Sequence, residues 1–118
     1  MPVLRAAVGD RPLQLHSHCL TGLAPLCALE AIGLGVDTVH TATSPLAHGA
    51  SHPPTEWVAT NARRLGFEVD LDVAGLRPVA DYFRYVAARE GKPLGEIAEY
   101  DPFHYEHQVP GGMISNLR

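Results

Sequence analysis

Two histidines at i, i+2 spacing are the residues of this sequence best suited to chemistry. His16 and His18 follow a short stretch, residues 13–15, that is mostly apolar. Residues two apart in a strand point to the same face, so both imidazoles can reach one divalent metal ion. In α/β proteins such sites lie at the C-terminal ends of parallel strands. The pattern predicts a metal site there, although two surface histidines also occur at this spacing without a metal.

The surrounding residues predict a strand, a helix and a second strand. Residues 13–16 are short and apolar enough for a buried parallel strand. Apolar residues then recur at helical spacing from Leu23, and Gly33 or Gly35 ends that helix. Five of the eight residues 36–43 are β-branched, which is typical of a strand. This order predicts a right-handed βαβ unit in a parallel sheet.

The following stretch alternates loops and helices. Residues 44–54 read as a loop after the second strand, and a helix follows from Thr55 to a stop at Gly66. We expect residues 67–71 to form an extended connection. Asp72 is the expected cap of the longest helix, in which Pro78 predicts a kink or restart.

Both ends of the chain are expected to be less regular. Residues 1–12 read as a frayed or truncated beginning, and residues 94–106 as irregular. A Gly-Gly turn within 107–118 is expected to lead into a helix that runs to Arg118.

Composition limits the class of protein. The chain has 118 residues and a formal charge of −4, which argues against nucleic acid as a partner. We find neither a signal peptide nor an apolar run of the roughly 18 residues that cross a membrane, and we expect a cytoplasmic protein. Cys19 and Cys27 are expected to be free thiols.

Several short motifs together resemble one family, the carboxyltransferase domains of biotin-dependent enzymes. That family includes pyruvate carboxylase, the oxaloacetate decarboxylase alpha subunit and the pyruvate-carrying subunit of transcarboxylase. The resemblance extends from about Leu13 to Arg118. It is carried by LHSHCLTG at 15–22, AIGLGVD at 31–37, SHPPTE at 51–56, more weakly DYFR at 81–84, and HQVPGGMISN at 107–116.

The resemblance implies an α/β fold, namely part of a TIM (β/α)8 barrel. The chain would be a single partial domain, 1–118, that holds the last βα units and the start of a C-terminal helical extension. Residues 13–66 would form a βαβα barrel segment, and residues 72–118 a helical segment with the HQVPGGM motif. A complete barrel needs about 250 residues. We therefore expect open sheet edges, and either self-association or another chain that completes the barrel.

The resemblance also assigns site residues. His16 and His18 match two ligands of a divalent metal, which would be zinc, manganese or cobalt. The family's other two ligands, an aspartate and a carbamylated lysine, have no counterpart, since the chain's only lysine is the distant Lys92. Carboxybiotin on a carrier domain would be the co-substrate.

The loop 44–54 would line the substrate and biotin pocket, through His48, Ser51 and His52. Ala50 aligns with a threonine that relays a proton in the family, and alanine has no proton to transfer. No catalytic residue is therefore assigned.

Further departures leave alternatives open. Cys19 and His40 stand where the family has aspartate, and His52 where it has glutamine. His48, His52 or Cys19 could complete a different metal site, since histidine and cysteine suit zinc. Equally, His40 could be a core histidine bonded to backbone, and Cys19 a buried apolar residue. Three aromatic side chains are expected to pack against helices: Trp57, Tyr82 and Phe83.

Two functions follow from these observations. The first is a fragment or subunit of a metal-dependent, biotin-linked carboxyltransferase or decarboxylase. It would act on oxaloacetate, pyruvate or a related acid, and would be inactive as an isolated chain. The alternative is a non-catalytic assembly or binding module derived from that family. Neither function involves nucleic acid or a membrane.

Overall fold

The computed structural model describes residues 1–107 and contains a small parallel sheet with helices around it. The HQVPGGM motif and the helix expected near Arg118 lie outside this range, apart from His107. The elements in chain order are α1 (Pro2–Val8), β1 (Gln14–Leu15), α2 (Ala24–Gly33), β2 (Thr38–Val39), a 3-10 turn (Ser44–Leu46), α3 (Thr55–Arg64), α4 (Leu76–Arg89) and α5 (Pro102–His107).

The predicted strand–helix–strand order is confirmed, with β1 and β2 parallel and α2 between them in the chain. Leu15 pairs with Val39, and the His40 N–H donates to the Leu15 carbonyl at 2.9 Å. Both strands are shorter than predicted. After His40 the chain no longer pairs with the β1 segment. Instead, the Ala42 N–H donates to the Pro53 carbonyl at 3.0 Å.

The core between α2 and α3 is built from small side chains. Ala24, Ala28 and Ala31 are buried on one face of α2 at i, i+4 and i+7, the spacing of a single helical stripe. Ala59 and Ala62 are buried on α3, which packs against α2. Alanine at these positions allows the two helix backbones to approach closely.

Two helix boundaries test the sequence interpretation. Gly66, with φ 91°, follows the end of α3 as predicted. Asp72 does not cap the long helix. Gly75 holds the N-cap position and α4 begins at Leu76. Pro78 therefore falls in the first turn, where its missing N–H breaks no helical hydrogen bond.

Two short helices replace segments that were expected to be irregular. Arg5 connects the helix α1 to the turn before β2, because its guanidinium donates to the Gly35 carbonyl and pairs with Asp37. At α5 the Phe103 N–H donates to the Asp101 carboxylate at 2.9 Å, a typical start of a helix. The expectations for 1–12 and 94–106 were therefore wrong in these parts. For α1, the contacts of Arg5 are with residues 30 and 32 positions away in the sequence.

The extended segment 94–100 passes across the loop that follows β2. The Gly95 N–H donates to the Pro45 carbonyl at 2.8 Å, and a Cβ at Gly95 would lie 1.6 Å from the Ala47 carbonyl oxygen. Gly22 has φ 76°, and a Cβ there would lie 2.6 Å from the Ala98 carbonyl oxygen. Glycine at these positions allows the segment to lie directly on the loop after β2 and on the residues that follow β1.

None of the helices in residues 1–107 is long and apolar enough to cross a membrane. The surface of the described chain carries many apolar side chains. Those of Val79, Tyr82 and Tyr85 on α4 are 42%, 61% and 61% exposed.

Candidate metal centre

The strand register brings His16 and His40 together. Each is the first residue after its strand, and Leu15 and Val39, which precede them, are paired in the parallel sheet. Their Nδ1 atoms lie 2.9 Å apart. The contact follows directly from the parallel register, because residues at the same level of neighbouring strands lie side by side.

His18 also lies beside His16, although both residues follow the paired part of β1. The Nε2 atoms of the two rings are 3.2 Å apart. The Nδ1 of His18 donates to the carbonyl of Ala50 at 2.6 Å. The predicted convergence of the two imidazoles is therefore present, and a backbone group of the loop after β2 orients one of them.

His52 enters the same cluster through hydrogen bonds between two loops. The Cys19 N–H donates to the Ser51 carbonyl, and the His52 Nδ1 donates to the Ser17 carbonyl, both at 2.9 Å. These contacts place the His52 ring 4.3 Å from the His16 ring and 4.6 Å from the His18 ring, measured between centroids. With His40, four imidazoles thus lie together at the strand ends and form a histidine cluster.

One ring nitrogen from each of His16, His18 and His52 lies within 4.8 Å of the others. Within residues 1–107, no aspartate, glutamate or cysteine joins this set. Neutral imidazole nitrogens are good ligands for zinc and similar divalent ions. The donor set therefore fits a metal of that type, held by fewer charged ligands than the family pattern implies.

The electrostatics of the cluster favour neutral His16. Desolvation lowers the pKa of His16, and the neighbouring His52, His18 and His40 lower it further. Each protonated neighbour would repel a positive charge on His16. The neutral form that results is the form that binds metal.

His40 is not a core histidine bonded to backbone, as one sequence interpretation proposed. It is partly exposed and its Nδ1 contacts the His16 ring. The sequence pattern indicates that His16 and His40 both lie at the end of a strand. It does not indicate the strand register, which places the two residues opposite each other.

Cys19 is buried, with 1% of its surface exposed, which confirms its interpretation as a small apolar residue. Burial raises the pKa of its thiol, while a hydrogen bond from the His48 backbone lowers it by a smaller amount. A thiol with a raised pKa is a poor nucleophile near neutral pH. Cys27, by contrast, is exposed, and both cysteines are free.

The loop residues assigned to a pocket lie in different surroundings. His48, with φ 70°, and Ser51 form a turn in which the Ser51 N–H donates to the His48 carbonyl at 2.8 Å. His48 lines an open groove together with Glu56, Trp57 and other residues, whereas His52 faces the histidine cluster. Ala50 contributes its carbonyl to His18.

The three aromatic side chains expected to pack against helices differ in exposure. Tyr82 is 61% exposed and Trp57 38% exposed, and Phe83 is partly covered.

Several known carboxylases and carboxyltransferases are similar to this chain, although no family model matches it. A pyruvate carboxylase subunit of Methanocaldococcus jannaschii is 39% identical over 109 residues, which are 90% of this chain and 19% of that protein. The methylmalonyl-CoA carboxyltransferase 5S subunit of Propionibacterium freudenreichii is 35% identical over 105 residues, 89% of this chain and 21% of that protein.

Solved structures agree with the sequence relatives. The carboxyltransferase domain of Rhizobium etli pyruvate carboxylase, determined with pyruvate, superposes with a TM-score of 0.84 at 28% identity. The match covers 98% of this chain and 20% of that one. The same domain has also been determined with oxamate and biotin.

Taken together, the fold and these matches show that the chain belongs to the carboxyltransferase domain family of biotin-dependent enzymes. Within that family it is related to the C-terminal part of the domain of pyruvate carboxylase and transcarboxylase. The chain spans about a fifth of the length of the two relatives described above.

Proposed function

We propose that this chain contributes the metal-binding part of a biotin-linked carboxyltransferase or decarboxylase. Its substrate would be oxaloacetate, pyruvate or a related acid. The observation that carries the proposal is the convergence of His16 and His18, 3.2 Å apart between Nε2 atoms, at the C-terminal ends of parallel strands in a chain of this family. That edge is where α/β enzymes hold their substrates.

The remaining part of the site would come from outside these residues. Residues 13–66 would supply the last βα units of a TIM barrel, and residues 72–118 the start of its helical extension. A two-stranded sheet has two unpaired edges, and α4 exposes Tyr82 and Tyr85. Unpaired parallel edges and exposed aromatic rings favour a neighbour. We propose that the neighbour is the rest of the barrel, carried on the same or another polypeptide.

The chain's own residues would bind and orient the reactants. His16 and His18 would hold a divalent metal, which supplies Lewis-acid polarisation of a keto group. Imidazole ligands favour zinc or cobalt over manganese. The loop with His48, Ser51 and His52 would line the pocket for the acid and for carboxybiotin, which a biotin carrier domain would deliver.

A second function, a non-catalytic assembly module, is favoured by a specific observation. The methyl group of Ala50 cannot relay a proton, and the histidine cluster of residues 1–107 includes no carboxylate. Such a module would retain the interface of the barrel without its chemistry.

Complementation separates the two functions. The purified chain would be mixed with the Methanocaldococcus jannaschii relative from which the matching segment has been deleted, in the presence of zinc. Native mass spectrometry would report assembly and bound metal, and an oxaloacetate decarboxylation assay would report turnover. Turnover that is lost in a His16→Ala, His18→Ala variant supports the enzyme. Assembly without turnover supports the module, and a stable monomer that binds no complement contradicts both.

A further inference from the structure

We propose that His52 is the third ligand of a three-imidazole metal site, together with His16 and His18. The family pattern has glutamine at the position of His52, so this ligand set is particular to the present chain. The inference rests on the metal binding by His16 and His18 in the proposed function, but not on carboxyl transfer. A chain that transfers no carboxyl group can still bind the ion.

The distances fit a tetrahedral ion. Metal–nitrogen bonds of about 2.0–2.1 Å at tetrahedral angles place two ligand nitrogens about 3.3 Å apart. The Nε2 atoms of His16 and His18 are 3.2 Å apart before any ion is considered. The nitrogen of His52 lies within 4.8 Å of both. Binding of an ion would draw the His52 ring closer to the other two rings.

Hydrogen bonds to carbonyl oxygens hold two of the three rings in the tautomer that is protonated on Nδ1. That tautomer leaves Nε2 unprotonated, as metal binding through Nε2 requires. A carbonyl oxygen only accepts hydrogen bonds, so the proton of His18 is on the Nδ1 that faces Ala50. The proton of His52 is on the Nδ1 that faces Ser17. In both rings the Nε2 lone pair is then free for an ion. Hydrogen bonds of this kind orient metal-bound histidines and increase their basicity.

The third ring, that of His16, has a hydrogen-bond acceptor for its Nδ1–H. When the Nε2 of His16 binds a metal, its proton moves to Nδ1, which lies 2.9 Å from the Nδ1 of His40. His40 can accept that proton in a hydrogen bond through its own unprotonated Nδ1. His40 is therefore a positioning residue for His16 and not itself a ligand.

The arrangement leaves one coordination position open. His16 and His18 are exposed and His52 is half-buried, so solvent reaches the three rings and can supply a fourth ligand. Three protein ligands and an open fourth position are typical of catalytic zinc sites. The all-nitrogen donor set favours zinc, cobalt, nickel or copper over magnesium and manganese.

Titration of the full 118-residue chain with zinc chloride by calorimetry tests the proposal. We expect one ion per chain, about 100-fold weaker binding for His52→Gln, and a change of less than about twofold for His107→Gln. The second variant removes an exposed histidine outside the cluster. Equal zinc affinity of His52→Gln and the wild type would overturn the proposal, as would an equal loss in both variants.

A second measurement covers the case in which His52→Gln does not fold. Long-range 1H–15N correlation spectra of the wild type report the protonation and ligation of each ring nitrogen. On addition of zinc we expect the Nε2 resonance of His52 to shift while its Nδ1 stays protonated. Unchanged His52 resonances at saturating zinc would overturn the proposal. Neither readout uses turnover, so failure of carboxyl transfer is recognised separately.

Discussion

The Nδ1 of His52 donates a hydrogen bond of 2.9 Å to the carbonyl of Ser17, the residue between His16 and His18. The two residues are 35 positions apart in the sequence. The bond therefore joins the loop after β2 to the end of β1. The bond orients the His52 ring against the backbone segment that carries His16 and His18.

His40 can be tested as a positioning residue. We expect His40→Phe, which keeps a ring but removes both nitrogens, to weaken zinc binding by about 10- to 100-fold, the usual effect of losing an outer hydrogen-bond partner. The melting temperature without zinc is expected to change little, because His40 is partly exposed. Calorimetric titration measures the affinity. His40→Gln, which retains a hydrogen-bonding group, serves as the control and should lose less. Unchanged zinc affinity in His40→Phe would contradict the role.

The stability of the chain should depend on Asp37 in acid. Its carboxylate accepts the Leu13 N–H at 2.7 Å and pairs with Arg5 at 2.6 Å. The Leu13 hydrogen bond and then Arg5 lower the pKa of Asp37 in the folded chain. The stabilisation is therefore complete above the unfolded pKa of about 3.9 and is lost as the pH falls through the lower folded value.

Thermal melts between pH 7 and pH 2 measure this dependence. We expect Asp37→Asn to melt at a lower temperature than the wild type at pH 7, with the difference shrinking below about pH 4. The exposed Asp70→Asn is the matched control, and its melting curve should follow the wild type. A constant difference between Asp37→Asn and the wild type over the whole pH range would exclude this linkage.

Gly22 should tolerate a side chain poorly. Its φ of 76° strains any L side chain, and a Cβ would meet the Ala98 carbonyl oxygen at 2.6 Å. We expect Gly22→Ala to lower the free energy of unfolding by about 1–3 kcal/mol. In Gly33→Ala, no atom lies within 4 Å of the new Cβ, and a gain of up to about 1 kcal/mol is expected. Urea unfolding measures both, and similar values for the two variants would count against the close approach.

The two cysteines should differ sharply in reactivity. Cys27 is exposed, whereas Cys19 is buried and burial raises its pKa. Because the thiolate is the reactive form, a disulfide reagent should modify one thiol rapidly in the folded chain and the second only on unfolding. Absorbance of the released thiol follows both phases. In Cys27→Ser the rapid phase should disappear, and a rapid phase that persists there would show Cys19 to be accessible.

Local patterns predicted much of the fold and half of the histidine cluster. The strand–helix–strand order, the stop at Gly66 and the pairing of His16 with His18 depend on residues close in the chain. Their periodicity and spacing are visible in the sequence. The predicted cap Asp72 failed because several residues before a helix can serve as its start, and the backbone selected Gly75.

Local sequence was enough to predict that two histidines meet at the end of the first strand, because residues two apart in an extended chain share a face. Which other histidines join them depends on how distant segments pack. His40 reaches His16 through the register of a parallel pair, and His52 reaches both through hydrogen bonds between loops. Such contacts join residues 24 and 35 positions apart. No local preference specifies them, because they arise only when separate segments come together in the folded chain.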